Sequence, residues 1–193
     1  MSAYLEQYRL LHEQRVDYGS TSTKRAPYIL PHVRALKPQT VIDYGAGTSA
    51  LWALIEDCGV GHVWRYDPGI PKLSRRPKPA ELLVSIDMLE HVPIDELDGV
   101  ISDMASLSKR AVIIIDGHLA KTILPNGDNA HATVRPAVWW HERLRRHYPY
   151  VERIWGVRRR PASFRTWRLR PIERLFIGAQ IAKYRVLQPI RLA

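Results

Sequence analysis

Val41-Ile42-Asp43-Tyr44-Gly45-Ala46-Gly47-Thr48-Ser49 reads as a buried strand that ends in a carboxylate and runs into a glycine turn opening a helix. The two glycines let the backbone turn sharply and approach a ligand closely, and a helix from Ser49 points its free N–H groups at the same place. Strand-turn-helix units also occur without ligands, so by itself this stretch leaves a structural turn and a nucleotide-type cofactor site both open.

Working outward, Gly45-x-Gly47-x-x-Ala50 satisfies the dinucleotide fingerprint, and Asp67 falls about 20 residues on, where a ribose-binding acid is expected. The spacing alone does not separate NAD from S-adenosylmethionine. Asp43 separates them: a carboxylate two positions before the first glycine repels a pyrophosphate but attracts the ammonium and sulfonium of S-adenosylmethionine. Asp67, in Val63-Trp64-Arg65-Tyr66-Asp67-Pro68, then ends a second strand and can accept both ribose hydroxyls.

A third apolar run, Leu82-Leu83-Val84-Ser85-Ile86, is short enough for a buried parallel strand and leads into Asp87-Met88-Leu89-Glu90-His91-Val92-Pro93. Asp-x-Gly-x-Gly, the acid about 20 residues later and Asp-Met-Leu-Glu-His-Val-Pro together resemble a class I S-adenosylmethionine-dependent methyltransferase over residues 15–157. The resemblance implies an α/β, Rossmann-like, doubly wound and mostly parallel sheet with helices on both faces and one antiparallel strand near the C-terminal edge. It implies S-adenosyl-L-methionine as cofactor and Asp43, Tyr44, Gly45, Ala46, Gly47, Asp67, Pro68, Asp87 and Met88 as its contacts. The sequence departs from the family between Asp67 and Leu82. That stretch is short, Pro-rich and basic, and leaves little room for the usual third strand and its helix.

The composition, 46% hydrophobic and 25% charged over 193 residues, is that of a globular domain. No apolar run approaches a membrane span, and the opening Met1-Ser2-Ala3-Tyr4-Leu5-Glu6 does not read as a signal peptide, which predicts a cytoplasmic protein. The single Cys58 excludes an internal disulfide and a cysteine metal cluster.

Charge is unevenly placed. Residues 1–157 hold 19 Lys+Arg and 18 Asp+Glu, whereas 158–193 hold 10 and 1. The sequence therefore divides into a methyltransferase-like domain over 1–157 and a basic strand-and-helix extension over 158–193 that packs on it. The extension can be a solvated edge with a docking helix, a polyanion-binding surface, or an amphipathic anchor peripheral to an anionic membrane. A homodimer is a further expectation. If the segment Pro171 to Leu187 docks, Leu175, Phe176 and Ile181 should be buried.

Tyr4 to Val16 and Arg25 to Leu36 read as helices joined by the polar loop Asp17 to Thr23, either a lid or a plain connector. Asp95 to Leu107 and Pro136 to Tyr148 read as helices, Ala111 to Ile115 as a buried strand, and Val151 to Val157 and Ser163 to Leu169 as the strands that close the sheet.

Asp87, Glu90, His91, Asp116, His118, Lys121 and His131 cluster in sequence after the third and fourth strands. Methyl transfer needs in-line approach to the sulfonium carbon and usually a base, a role for which His131, His91 and His118 are the candidates. Asp87-x-x-Glu90-His91 also resembles the acid-x-x-Glu-His site of ubiquinone-biosynthesis O-methyltransferases and small-RNA 3′-end 2′-O-methyltransferases. That resemblance implies Mg²⁺ or Mn²⁺ held by Asp87, Glu90, His91 and His131; helix capping by Glu90 and His91 is the alternative. No Asp-Pro-Pro-Tyr or Asn-Pro-Pro-Tyr motif is present, which disfavours base methylation. Oxygen or nitrogen of a small molecule, a sugar or a lipid-linked precursor remains open as acceptor, as does a catalytically silent binding module.

Overall fold

The computed structural model describes residues 3–15, 17–155, 157 and 161–187. Helices α1 (Ala3–Gln14) and α2 (Ala26–Leu36) precede strand β1 (Thr40–Tyr44). Helix α3 (Leu51–Glu56), β2 (His62–Tyr66), β3 (Leu82–Ile86), α4 (Leu97–Leu107) and β4 (Ala111–Ile115) follow. Then come α5 (Ala137–Arg145), β5 (Glu152–Arg153), β6 (Ala162–Arg165) and α6 (Pro171–Leu187). The six strands form one sheet in the order β2-β1-β3-β4-β6-β5. β1, β2, β3 and β4 are parallel, and β6 runs antiparallel to both β4 and β5.

Alternation along the strands divides the core into two layers. Val41, Leu82, Val84, Ile86, Val112 and Ile114 face α2, α3 and α6, while Ile42, Leu83, Ile113, Ile115 and Phe164 face α4 and α5. Strands buried on both faces read as near-continuous apolar runs, which is why Ala111–Ile115 carries no polar residue. This is the doubly wound arrangement the sequence predicts.

The shortened third-strand region is also present. Between Tyr66 and Leu82 the chain forms only turns, at Asp67–Ile70 and Pro71–Leu73, and no strand or α-helix, so β2 is an edge strand and Trp64 on it is 39% exposed. The segment is tied down by Arg76, whose guanidinium pairs with Asp103 on α4 at 2.8 Å. The two last strands are shorter than expected. Edge strand β5 pairs through only Glu152 and Arg153; after Arg165, Thr166 donates its N–H to Ala111 O and accepts the Ala111 N–H on its hydroxyl, and Trp167 turns onto His32 of α2. Gly156 and Arg158 to Arg160, within the expected strand and at the start of the basic extension, lie outside the described residues, as does Val16 at the end of the expected first helix.

Helix α6 docks on α2 with Ile181 buried as expected, but Leu175 and Phe176 face away from the contact. Ile177 and Ile181 are buried and Tyr184 meets Tyr28 edge-on at 5.7 Å, whereas Leu175 is 71% and Phe176 39% exposed. The correction follows from helical geometry: positions 177, 181 and 184 share one face, and 172, 175, 176 and 179 lie on the other. Ile181→Ala should therefore cost about 2–4 kcal/mol in urea unfolding, and Leu175→Ala less than about 0.5 kcal/mol. Equal effects would contradict this packing. No described helix is long and apolar enough to cross a membrane.

Candidate active site

At the end of β1 the backbone reverses through Gly45 and Gly47, with φ of 78° and 52°. The turn is fixed from β2, because the carbonyl of Tyr66 accepts the N–H groups of both Gly45 and Ala46 at 2.8 and 3.1 Å. Side chains are excluded here for two reasons. A Cβ on Gly45 would lie 2.2 Å from Met88 Cγ, and one on Gly47 would lie 2.7 Å from the carbonyl oxygen of Gly19. The loop before α2 thus sits directly on the glycine turn, held there by a 2.8 Å hydrogen bond that the Thr48 hydroxyl donates to Tyr18 O.

Asp67 leaves the end of β2 and accepts the N–H groups of Gly47 and Gly69, both at 2.9 Å. Burial raises its carboxyl above the usual range, and the two N–H groups and His12 offset part of that. Asp67, Pro68, Tyr44, Gly45, Gly47, Asp87 and Met88 all line one cavity of about 200 Å³, as the cofactor reading requires of them. Asp43 and Ala46 do not. Both are buried beneath the turn, 2% and 1% exposed. Asp43 is set in the strand opposite Arg65 of β2, and burial pushes its carboxyl up to about 7 against the pull of that guanidinium.

The second wall comes from the turn after β3. Asp87 adopts a left-handed φ of 48°, which costs a non-glycine residue about 1 kcal/mol or more, and directs its carboxylate to Arg25 at 3.4 Å. Glu90, on the next turn, is completely buried. One carboxylate oxygen accepts the Asp116 N–H at 2.9 Å while Oε2 has no partner, and burial together with Asp87 raises its pKa well above the usual range.

One ligating atom from each of Glu90, His91 and His131 lies within 4.8 Å of the others. The two imidazoles meet edge-on at 4.7 Å. Each points Nδ1 at a carbonyl, His91 at Ala130 O (2.8 Å) and His131 at His118 O, and a carbonyl can only accept. Nδ1 is therefore the donor in both rings. Burial, assisted by His131, lowers the His91 pKa to about 4, so that ring is neutral at physiological pH.

Two sequence expectations are corrected here. Asp87 is not part of the cluster, because its left-handed turn aims it at Arg25. His118 is not a base in it either: its side chain is 72% exposed and bonded to Asp116 at 2.8 Å, and only its carbonyl reaches His131. Lys121 is exposed.

Several residues of the site were not anticipated. Tyr4, Tyr8 and His12 lie four apart on one face of α1, and with Tyr18 they roof the cavity. Tyr8 Oη is 2.7 Å from His91 Nδ1 and also donates to Ala130 O, and Tyr4 donates to the same carbonyl at 3.0 Å. Asn129 orders the loop that carries His131, bonding to both backbone groups of Ala120 and accepting the His131 N–H at 2.9 Å. The four-residue spacing of Tyr4, Tyr8 and His12 was the available signal for the roof.

No protein-family model and no curated protein matches this sequence. Solved structures do. An O-methyltransferase family protein from Burkholderia thailandensis superposes with a TM-score of 0.58 at 14% identity, over 78% of this chain and 57% of that one. A structure described as the DhpI–SAH complex superposes at 0.54 with 16% identity, over 87% of this chain and 96% of the other. This chain spans little more than half the length of the first. At such identities the likeness is one of architecture: the chain has the class I S-adenosylmethionine-dependent methyltransferase fold.

Proposed function

We propose that this protein is an S-adenosylmethionine-dependent methyltransferase acting on oxygen or nitrogen of a small-molecule, sugar or lipid-linked acceptor. The observation that carries the reading is one cavity that joins the glycine turn and Asp67 to His91. The fold it shares with a protein solved with SAH supports the choice of cofactor. Asp67 suits the ribose of either cofactor, and Asp43, which distinguished them in the sequence, lies outside the cavity, so the choice over NAD rests on the shared fold.

The cofactor, when bound, supplies an electrophilic methyl group on a sulfonium. The chain's own residues do the rest. Asp67 would hold the ribose hydroxyls, and the glycines allow the backbone to approach the ligand. An imidazole, His91 or His131, would take the acceptor's proton, with the methyl passing from the cofactor's sulfur to the acceptor atom as the C–S bond breaks. The cavity is roofed by Tyr4, Tyr8 and His12 of α1, so a bound cofactor would lie against that helix.

A second reading, metal-assisted 2′-O-methylation of RNA, rests on the Glu90, His91 and His131 cluster. The donor set fits a divalent ion: an unpartnered carboxylate oxygen and two imidazoles whose Nδ1–H groups are already oriented by carbonyls. Two nitrogen donors favour Mn²⁺ over Mg²⁺.

Calorimetric titration tests the main reading. S-adenosylmethionine and S-adenosylhomocysteine should bind and NAD should not, and Asp67→Ala should weaken binding by about 1.5–3 kcal/mol, roughly 10- to 150-fold. Tight NAD binding with no response to S-adenosylmethionine would overturn it.

A further inference from the structure

Helix α6 has two apolar faces, and α2 covers only one of them. At 100° per residue, Ile172, Leu175, Phe176, Ala179, Ala182 and Val186 fall within an arc of roughly 120° opposite the buried Ile177 and Ile181. All six are exposed, Ile172 by 67%, Leu175 by 71% and Val186 by 80%. The stripe runs the length of a 17-residue helix, about 25 Å.

Charge decides what can cover it. Lys183 falls inside the apolar arc and Arg185 is exposed on the same last turns. By sequence, 158–193 holds ten basic side chains against one acidic, but Arg165 and Arg174 pair with Glu152 and Arg170 pairs with Glu173, so the cations that belong to this stripe are Lys183 and Arg185. Packing two copies of this face together would bury Lys183 without an anion and bring like charges into contact. A nucleic acid would answer the cations but leave the apolar stripe in water. A lipid surface answers both: acyl chains accept the stripe, headgroup phosphates meet the cations, and Lys183 reaches the headgroups along its own stem.

We propose that α6 is an interfacial helix that docks this protein on an anionic membrane surface. Docking leaves the α2-facing side of the helix where it is, and it does not depend on the chemistry of the cavity.

The test is co-sedimentation of the full chain with vesicles. Phosphatidylcholine vesicles containing about one-third phosphatidylserine should bind the protein at least 10-fold better than phosphatidylcholine alone, and raising the salt to about 1 M should remove most of that preference. Leu175→Glu with Phe176→Glu touches only exposed positions, so the protein should keep its circular dichroism and lose binding at least 10-fold. Lys183→Gln with Arg185→Gln should erase the preference for phosphatidylserine. No binding to anionic vesicles, or binding that survives the Leu175→Glu, Phe176→Glu pair, would overturn the proposal. So would sedimentation equilibrium showing a dimer that the same pair dissociates, since a second copy would then cover the stripe.

Discussion

Replacing His91 or His131 by alanine should lower methyl transfer about 10²- to 10⁴-fold while S-adenosylhomocysteine affinity stays within about threefold. The split is expected because the glycine turn and Asp67, which line the cavity, belong to the ends of β1 and β2, whereas the histidines come from the turn after β3 and from the loop ordered by Asn129. Glu90 separates the two chemistries. Glu90→Gln retains an oxygen for the Asp116 N–H but removes the charge that a cation needs. If the cluster holds a metal, Glu90→Gln should match the histidine variants, chelator should abolish turnover and Mn²⁺ should restore it. If a histidine is the base, Glu90→Gln should be mild and chelator without effect. Histidine variants that lose cofactor affinity and turnover in parallel would show that these side chains serve the fold instead.

The parts of this architecture that were legible in the sequence are those fixed by local chemistry. A glycine turn demands positive φ, and continuous apolar runs demand burial on both faces, so β1, β3, β4 and the turn at Gly45 and Gly47 could be read directly. Asp67 could be placed by its distance from the turn. What could not be read depends on contacts distant in the chain. Tyr8 meets His91 and Ala130 across 83 and 122 residues, and Arg25 meets Asp87 across 62. No local pattern specifies that Asp87 turns towards Arg25 rather than towards Glu90. Similarly, the apolar residues of α6 were visible but not their division between two faces, because periodicity shows that a helix is amphipathic and not which stripe a neighbour covers.

Asp43 shows how the burial of one group within that architecture becomes a measurable pH dependence. Its carboxyl titrates near 7 in the folded chain against an ordinary 3.8, so between those values the folded state holds a proton that the unfolded state has released. The sign follows: below about pH 4 the residue is neutral in both states and costs nothing, and as pH rises to about 7 stability falls by up to about 4 kcal/mol. Asp43→Asn cannot ionise and should escape that loss. The buried amide has its own cost, but that cost does not vary with pH, so the slope and not the offset is the readout. In urea unfolding without ligand, the stability difference between Asp43→Asn and the native chain should grow in favour of the variant by about 2–3 kcal/mol from pH 5 to pH 8. A difference independent of pH would mean that Asp43 is ionised throughout, its charge fully met by Arg65.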